Sequence, residues 1–465
     1  MRRLTASGGG FAAALYARDV LPHGFGERYE LPLPLILFLS ASGLVVLLSF
    51  AAIALFLRQG ADLRGYPRLD LLQTRFGRAF AAPPLVATLR LVAVFLYLLV
   101  IIAGLGGEQR PFKNIAPVMV WAIAWVGFAF AAALIGNVWA LVNPLDTLYR
   151  WAERRSRRPL RPTLRYPAAL GQWPAVALFL GFAWLELISD SADTPATLAK
   201  LLLAYSALTW GGMLLFGREA WLAHGELFNV IYGYLARFAP LEYREQRWNL
   251  RPYAVGLLER LPLGASEVVM VVLLLATVSF DGFLETPAWE AIAHAVGDSP
   301  GVKTAALIVA LLVFLAAFLA TCAAISRLGG VPRPLAHTAG SFVLTLVPIA
   351  IAYHVAHYLS FFLMASQYLG PLASDPFGRG WDLFGGARQF IRLTVIDART
   401  VWYVSVAAIV AGHVVAIVLA HSVALREFGT RRGALRSQLP MVALMVGYTM
   451  TSLWIIAQPI IAAPR

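Results

Sequence analysis

Apolar residues in this chain run in long unbroken stretches, and the polar breaks between them are mostly short and rich in arginine. A helix needs about 20 apolar residues to cross roughly 30 Å of hydrocarbon, so each long stretch reads as a membrane span. The pattern predicts spans at 34–57, 84–106, 116–140, 174–190, 198–217, 264–284, 303–325, 338–364, 400–424 and 438–460. The fourth, PAVALFLGFAWLELISD, is short and carries Glu186, which leaves a re-entrant or interfacial piece as its alternative. The expected fold is all-α, a polytopic transmembrane helix bundle of about ten spans filling residues 34–465.

Composition agrees: 59% of the 465 residues are hydrophobic and only 14% charged, so no sizeable soluble domain is left over. The net charge of +13 follows from where the arginines fall. Arg58, Arg64, Arg68, Arg75 and Arg78 follow span one, and Arg150, Arg154, Arg155, Arg157, Arg158, Arg161 and Arg165 follow span three. Further groups follow spans five, seven and nine, while the loops after spans four and six carry Asp190, Asp193, Asp281, Glu285, Glu290 and Asp298. This alternation is the positive-inside signature, and it predicts both termini at the periplasm or exterior. The long loop after span eight mixes both signs. The partner implied by the basic charge is therefore a lipid bilayer and not nucleic acid.

Two segments outside the spans draw separate readings. Residues 1–33 begin like a signal peptide but have a weak apolar stretch broken by Arg18 and Asp19, so a degenerate signal or an ordered exterior arm is expected. Residues 218–262 are too polar to span, and Phe228, Ile231, Leu235 and Phe238 repeat at helical spacing, which predicts an interfacial cytoplasmic helix. The turn at Asn143, Pro144 and Asp146 reads as a cytoplasmic helix cap.

Four histidines fall in two neighbouring spans: His354 and His357 in span eight, His413 and His421 in span nine. Ionisable side chains at membrane depth are expensive to bury, which makes them functional candidates before they are packing residues. His354 and His357, three apart, share a helix face, whereas His413 and His421 lie about 12 Å apart along their helix, too far for one ion. The sharp expectation is a metal site of His354, His357 and His413 in the outer half of the bilayer, completed by a carboxylate from Glu186, Asp281, Asp375 or Asp382. Imidazole and carboxylate suit zinc, iron, copper or manganese without choosing among them. Haem b held by two of these histidines ranks lower, since the His413–His421 spacing does not fit two stacked haems. His23, with Glu27 and Glu30 nearby, is a secondary candidate. His421 is another, with Glu267 as its expected partner.

The alternatives are polar bonding between helices, with Tyr353, Tyr358, Ser360 and Gln367 as partners, and a proton relay. His224, His294 and His337 lie in loops or at span ends, where solvation accounts for them. Arg218, Glu219 and Glu226 read as locally paired on the inner surface. The single Cys322 excludes disulfide and cysteine-metal chemistry within the chain. No P-loop, dinucleotide fingerprint, HExxH or GxSxG is present, so ATP-driven transport, Rossmann redox chemistry and serine hydrolysis lack motif support.

The segments GNVWALVNPLDTLYRW, GREAWLAHGELFNVIYGYLARFAP, AHYLSFFL, DPFGRGWDLFG and AGHVVAIVLAH, together with HGFGERYELPLP near the start, resemble a bacterial family of polytopic membrane proteins labelled fenitrothion hydrolase. The resemblance covers most of the chain and implies a multi-pass protein of the bacterial inner membrane that hydrolyses a lipophilic organophosphorus triester and releases a nitrophenol. It carries no catalytic motif of its own. Combined with the histidine reading, a metal would lower the pKa of bound water, Asp382 or Asp375 would act as base, and Trp381 with Phe377 would line the approach. The competing class is a non-enzyme: a metal or small-molecule transporter, or a haem- or metal-binding subunit anchoring a redox partner in the membrane.

Overall fold

The computed structural model describes residues 31–56, 66–156, 161–244, 247–259, 262–386, 389–392 and 395–461. The N-terminal arm up to residue 30, and His23 with it, lies outside these. Ten helices are long and apolar enough to cross a membrane: Leu35–Phe56, Pro83–Gly106, Ile115–Leu134, Ala168–Ile188, Pro195–Phe216, Ala265–Leu284, Pro300–Leu328, Leu335–Ser374, Ala398–Phe428 and Arg431–Gln458. We number them as spans one to ten; they make the chain a multi-pass membrane protein. Large exposed apolar side chains such as Leu48, Phe95, Leu203 and Leu312 line the outer spans, as expected of surfaces that face lipid.

Spans six and eight are the most enclosed and form the centre of the bundle. Span eight packs most heavily against span nine, and span nine against span ten. Glycine permits the first of these contacts: a Cβ on Gly412 would lie 2.5 Å from the Ala352 side chain and 2.7 Å from the Pro348 carbonyl oxygen. Close helix approach through small residues is how membrane helices gain packing without a hydrophobic drive between them. Gly340 does the same at the start of span six, where its carbonyl accepts the Leu263 N–H at 3.0 Å and a Cβ would meet the Leu263 oxygen at 2.1 Å.

Three local features depart from the sequence reading. Span three ends at Leu134, earlier than expected, and its stretch Val118–Gly127 is a π-helix of ten residues. A π-turn displaces backbone carbonyls from the α pattern, and one of them, Ala124, is taken by the Tyr232 hydroxyl. The helix expected on the inner surface exists as Leu227–Ala236, but it is inserted into the bundle. Ile231 and Tyr232 are fully buried there. Short non-spanning backbone is tolerated at such a position because protein, not lipid, surrounds it.

At the end carrying the arginine-rich loops, strands β1 (Leu69–Asp70), β2 (Leu241–Arg244) and β3 (Arg247–Leu250) form an antiparallel sheet in the order β1-β3-β2. Leu69 and Leu241 flank Leu250 on either side. The sheet is tied by ion pairs. Arg251, itself buried, holds Glu242 at 2.6 Å, and Arg68 holds Glu242 at 3.0 Å and Glu259 at 2.6 Å. Tyr66 donates to the same Glu259 at 2.8 Å, and burial with that bond pushes its hydroxyl up to about 12. Nearby, the Asn143 side chain accepts the Leu145 and Asp146 N–H groups and caps Pro144–Arg155, as the sequence suggested. Asp146 then binds both Arg218 and Arg150.

Candidate functional site

Glu186 lies two residues before the end of span four, and Asp281 three before the end of span six, so both sit in the half of the bundle away from the arginine-rich loops. Span eight delivers His354, His357 and Tyr358 to the same level. The His357 Nε2 is 2.9 Å from the Asp281 carboxylate, and the Tyr358 hydroxyl donates to that carboxylate oxygen at 2.6 Å. The same hydroxyl lies 3.3 Å from the Glu186 carboxyl. One tyrosine therefore bridges two carboxyl groups, and an imidazole closes one of them. Pairing of this kind offsets the cost of burying polar groups.

His354 stands on the other side of Tyr358, with ring centroids 4.7 Å apart. Its ring meets Trp125 of the π-helix and Phe130 edge-on, each at 5.5 Å. The Nε2 of His354 is buried and has no hydrogen-bond partner. The buried Nε1 of Trp125 is directed toward Glu186 and Tyr358 without closing a bond of ordinary geometry. Both residues line a cavity that Glu186, Tyr358, Ile231 and Leu274 also line. Counted as room for the centre of a water molecule, its volume is about 20 Å³. A water needs roughly 10–15 Å³ on that measure, so the cavity accepts one such molecule and not a drug-sized ligand.

His413 of span nine is placed apart from this group. Its Nδ1 is 2.8 Å from the Ile409 carbonyl, and its ring lies beside Tyr448 of span ten at 5.9 Å. Among the described residues no three His, Cys, Asp or Glu side chains are arranged to hold one metal ion. The structure does not bring the expected His354, His357 and His413 together: Asp281 engages His357, aromatic rings enclose His354, and His413 lies against span ten.

The loop residues are also placed differently from expectation. The Asp375 carboxylate accepts the N–H groups of Arg379 at 2.9 Å and Gly380 at 2.6 Å, so it closes a turn. Asp382 and Trp381 are exposed. Arg379 lies over the Phe377 and Trp381 rings, and the Phe377 carbonyl accepts the Glu108 N–H at 2.8 Å, which seats this loop on the connection between spans two and three. His421 is buried against Gln438 of span ten, with ring and amide 2.8 Å apart. Glu267, its expected partner, instead accepts the Gly264 N–H at 2.5 Å as a helix cap. Of the carboxylates offered for the histidines, the structure brings together Glu186 and Asp281.

Sequence reasoning undervalued Glu226, which it reads as paired on the inner surface. The residue is fully buried as the cap of the inserted helix, accepting from the Asn229 and Phe228 N–H groups, Trp139, Asn143 and the Tyr205 hydroxyl. Burial pushes its carboxyl up, and those donors hold it down. No local pattern announced this, because glutamate is not among the residues that ordinarily cap a helix N-terminus.

Fold and site together define a multi-pass helical membrane protein with an ionisable cluster inside the bundle. No protein-family model, no curated protein and no solved structure matches the chain.

Proposed function

We propose that this chain is a membrane transport protein whose Glu186–Tyr358–Asp281–His357 cluster takes up and releases protons as its cargo crosses. The observation that carries the reading is the hydrogen count at Tyr358. Its single O–H proton, donated to Asp281 at 2.6 Å, is not available to Glu186 at 3.3 Å. A proton on Glu186, donated to the tyrosine oxygen, completes the second bond. With one titratable proton held by the His357–Asp281 pair, the cluster is then neutral overall. Neutrality is what a low-dielectric interior favours, and losing or gaining one proton disturbs every member at once.

Such clusters inside membrane proteins mark ion pathways and proton relays. The water-sized cavity supports the same reading, since His354, Trp125 and Glu186 all line it and it has room for one small hydrogen-bonding species. With the arginine-rich loops at the cytoplasm, the cluster lies in the outer half of the bilayer and both termini lie outside, which fits a bacterial inner membrane.

Infrared difference spectroscopy of the purified protein between two pH values tests the site. A carboxyl band is expected that titrates and is lost in both Glu186→Gln and Asp281→Asn. A spectrum without any carboxyl change at the cluster overturns the reading. Triester hydrolysis by membranes that is abolished in Asp281→Asn, with no such band in the parent protein, would replace it with the hydrolase function implied by the family resemblance.

A further inference from the structure

The cluster is one end of a longer series of polar groups. Past His357 on span eight lies Tyr353, its ring 6.3 Å away and its hydroxyl buried without a hydrogen-bond partner. Tyr448 of span ten stacks on Tyr353 at 6.4 Å and exchanges a hydrogen bond of 2.5 Å with Ser279 of span six. On the other side of Tyr448 stands His413, whose Nε2 is likewise buried and unpartnered. Two orphaned polar atoms therefore flank one tyrosine in the core. Each costs about 1–3 kcal/mol of desolvation, so their presence calls for a function.

Further toward the arginine-rich end, His421 and Gln438 pair across the same seam between spans nine and ten, both almost without exposure. One more step along, Glu427 near the end of span nine meets His337 at 2.9 Å and Ser341 at 3.2 Å near the start of span eight. The His337 side chain is partly exposed, which gives this pair access to solvent at that end. From His337 to His357 is twenty positions, about 30 Å at helical rise, the thickness of the hydrocarbon core.

We infer that this seam of spans six, eight, nine and ten is a transmembrane proton path running from Glu186, Asp281 and His357 through Tyr353, Tyr448 and His413 to His421 and the Glu427–His337 pair. The inference rests on the proton-binding reading of the cluster and extends it to the opposite face. Each transfer moves one proton between heteroatoms, directly or through intervening water, and changes no heavy-atom bond. A proton entering at one face displaces one that leaves at the other.

The groups that bear on the path are few. Asp193 acts on Glu186 from the loop after span four, and Tyr358 and Tyr353 of span eight act with Asp281 of span six. At the far end Arg333 binds the Glu427 carbonyl, and Arg426 binds that of Leu258. The widest step is from His413 to His421, about 12 Å along the helix. Ile417, Ala420, Met441 and Met445 lie in that interval and are buried. This apolar interval is the gate: protons pass when it hydrates and stop when it closes as in this structure.

The test is proton flux into proteoliposomes of the full chain, driven by a potassium-diffusion potential and read with an entrapped pH dye. His413→Phe, and separately His421→Gln, which keeps a polar partner for Gln438, should each lower the flux by about a hundredfold. Both should keep the Asp281-dependent infrared band of the cluster. Flux at the parent rate in both variants overturns the path while leaving the cluster reading intact, as does a parent protein with the band but without flux. Loss of the band in the parent overturns the cluster reading itself. A variant lacking both flux and band has misfolded, and His413→Asn or His421→Asn then replaces it under the same two outcomes.

Discussion

Removing His357 and Asp281 one at a time and together measures whether they act as a unit. The pair is 2.9 Å apart with both side chains about one-eighth exposed, so water screens it little. Breaking a buried pair by deleting one partner costs about 3–5 kcal/mol, because the other is left uncompensated. The two deletions are unequal here. Asp281→Leu removes the carboxylate that both His357 and the Tyr358 hydroxyl bind and should cost the full amount. His357→Leu leaves Asp281 with its Tyr358 bond at 2.6 Å, which is worth about 1.5–3 kcal/mol to a charged acceptor, so its cost should fall to about 1.5–3 kcal/mol. Once Asp281 is gone, removing His357 breaks no further bond of this pair, and the double variant should be about as stable as Asp281→Leu alone. The coupling energy is then about 1.5–3 kcal/mol. Reversible dodecyl-sulfate titration in mixed micelles, followed by tryptophan fluorescence, gives all four stabilities. Single effects that add to within about 0.5 kcal/mol would show that the two groups do not interact and would refute the reasoning.

Other expectations concern the frame around the site. Gly340→Ala forces a Cβ onto the Leu263 carbonyl and should destabilise by about 1–3 kcal/mol in the same titration, whereas Gly181→Ala, where a Cβ meets nothing, should not. Arg251→Leu leaves Glu242 short of one partner and frees three backbone carbonyls, at a cost of about 3–5 kcal/mol, and limited proteolysis should then cut near β2 and β3. Asp397 caps span nine through the Thr400 N–H, and that bond holds its carboxyl below the ordinary 3.8. A depressed carboxyl stabilises above its unfolded pKa and loses that contribution as pH falls through the folded one, so Thr400 amide exchange should accelerate only at strongly acid pH, and pH-independent protection there would count against the cap.

The span count was legible because an unbroken apolar run of the required length can hardly fold as anything but a spanning helix, and all ten runs became helices. Span ends were less so. The expected 338–364 is only the middle of Leu335–Ser374, whose extra turns are 3₁₀ and short α pieces that hydropathy does not distinguish from loop. At the site, an intramembrane histidine and an intramembrane carboxylate were each visible in the sequence, and Glu186 and Asp281, offered there as carboxylates for a metal shell, meet Tyr358 and His357 of span eight. Which histidine meets which carboxylate depends on helix rotation, which a sequence without alternating faces does not encode. His413 was expected beside His354 and His357; its depth is readable, but its packing against Tyr448 follows from helix rotation and the close approach at Gly412. Tyr358 was treated only as a possible hydrogen-bond donor. Its bridging role needs three helices to converge, and no local pattern announces that.

The ten-residue π-helix at Val118–Gly127 has a bearing on how this chain tolerates change in length. A π-turn holds one residue more than an α-turn closing over the same axial distance, so this span carries surplus sequence beside the cluster. Deleting a single residue there would draw on that surplus, leaving the flanking turns near their places while shifting Trp125 relative to His354. The surplus would thereby work as a dial on the site's wall.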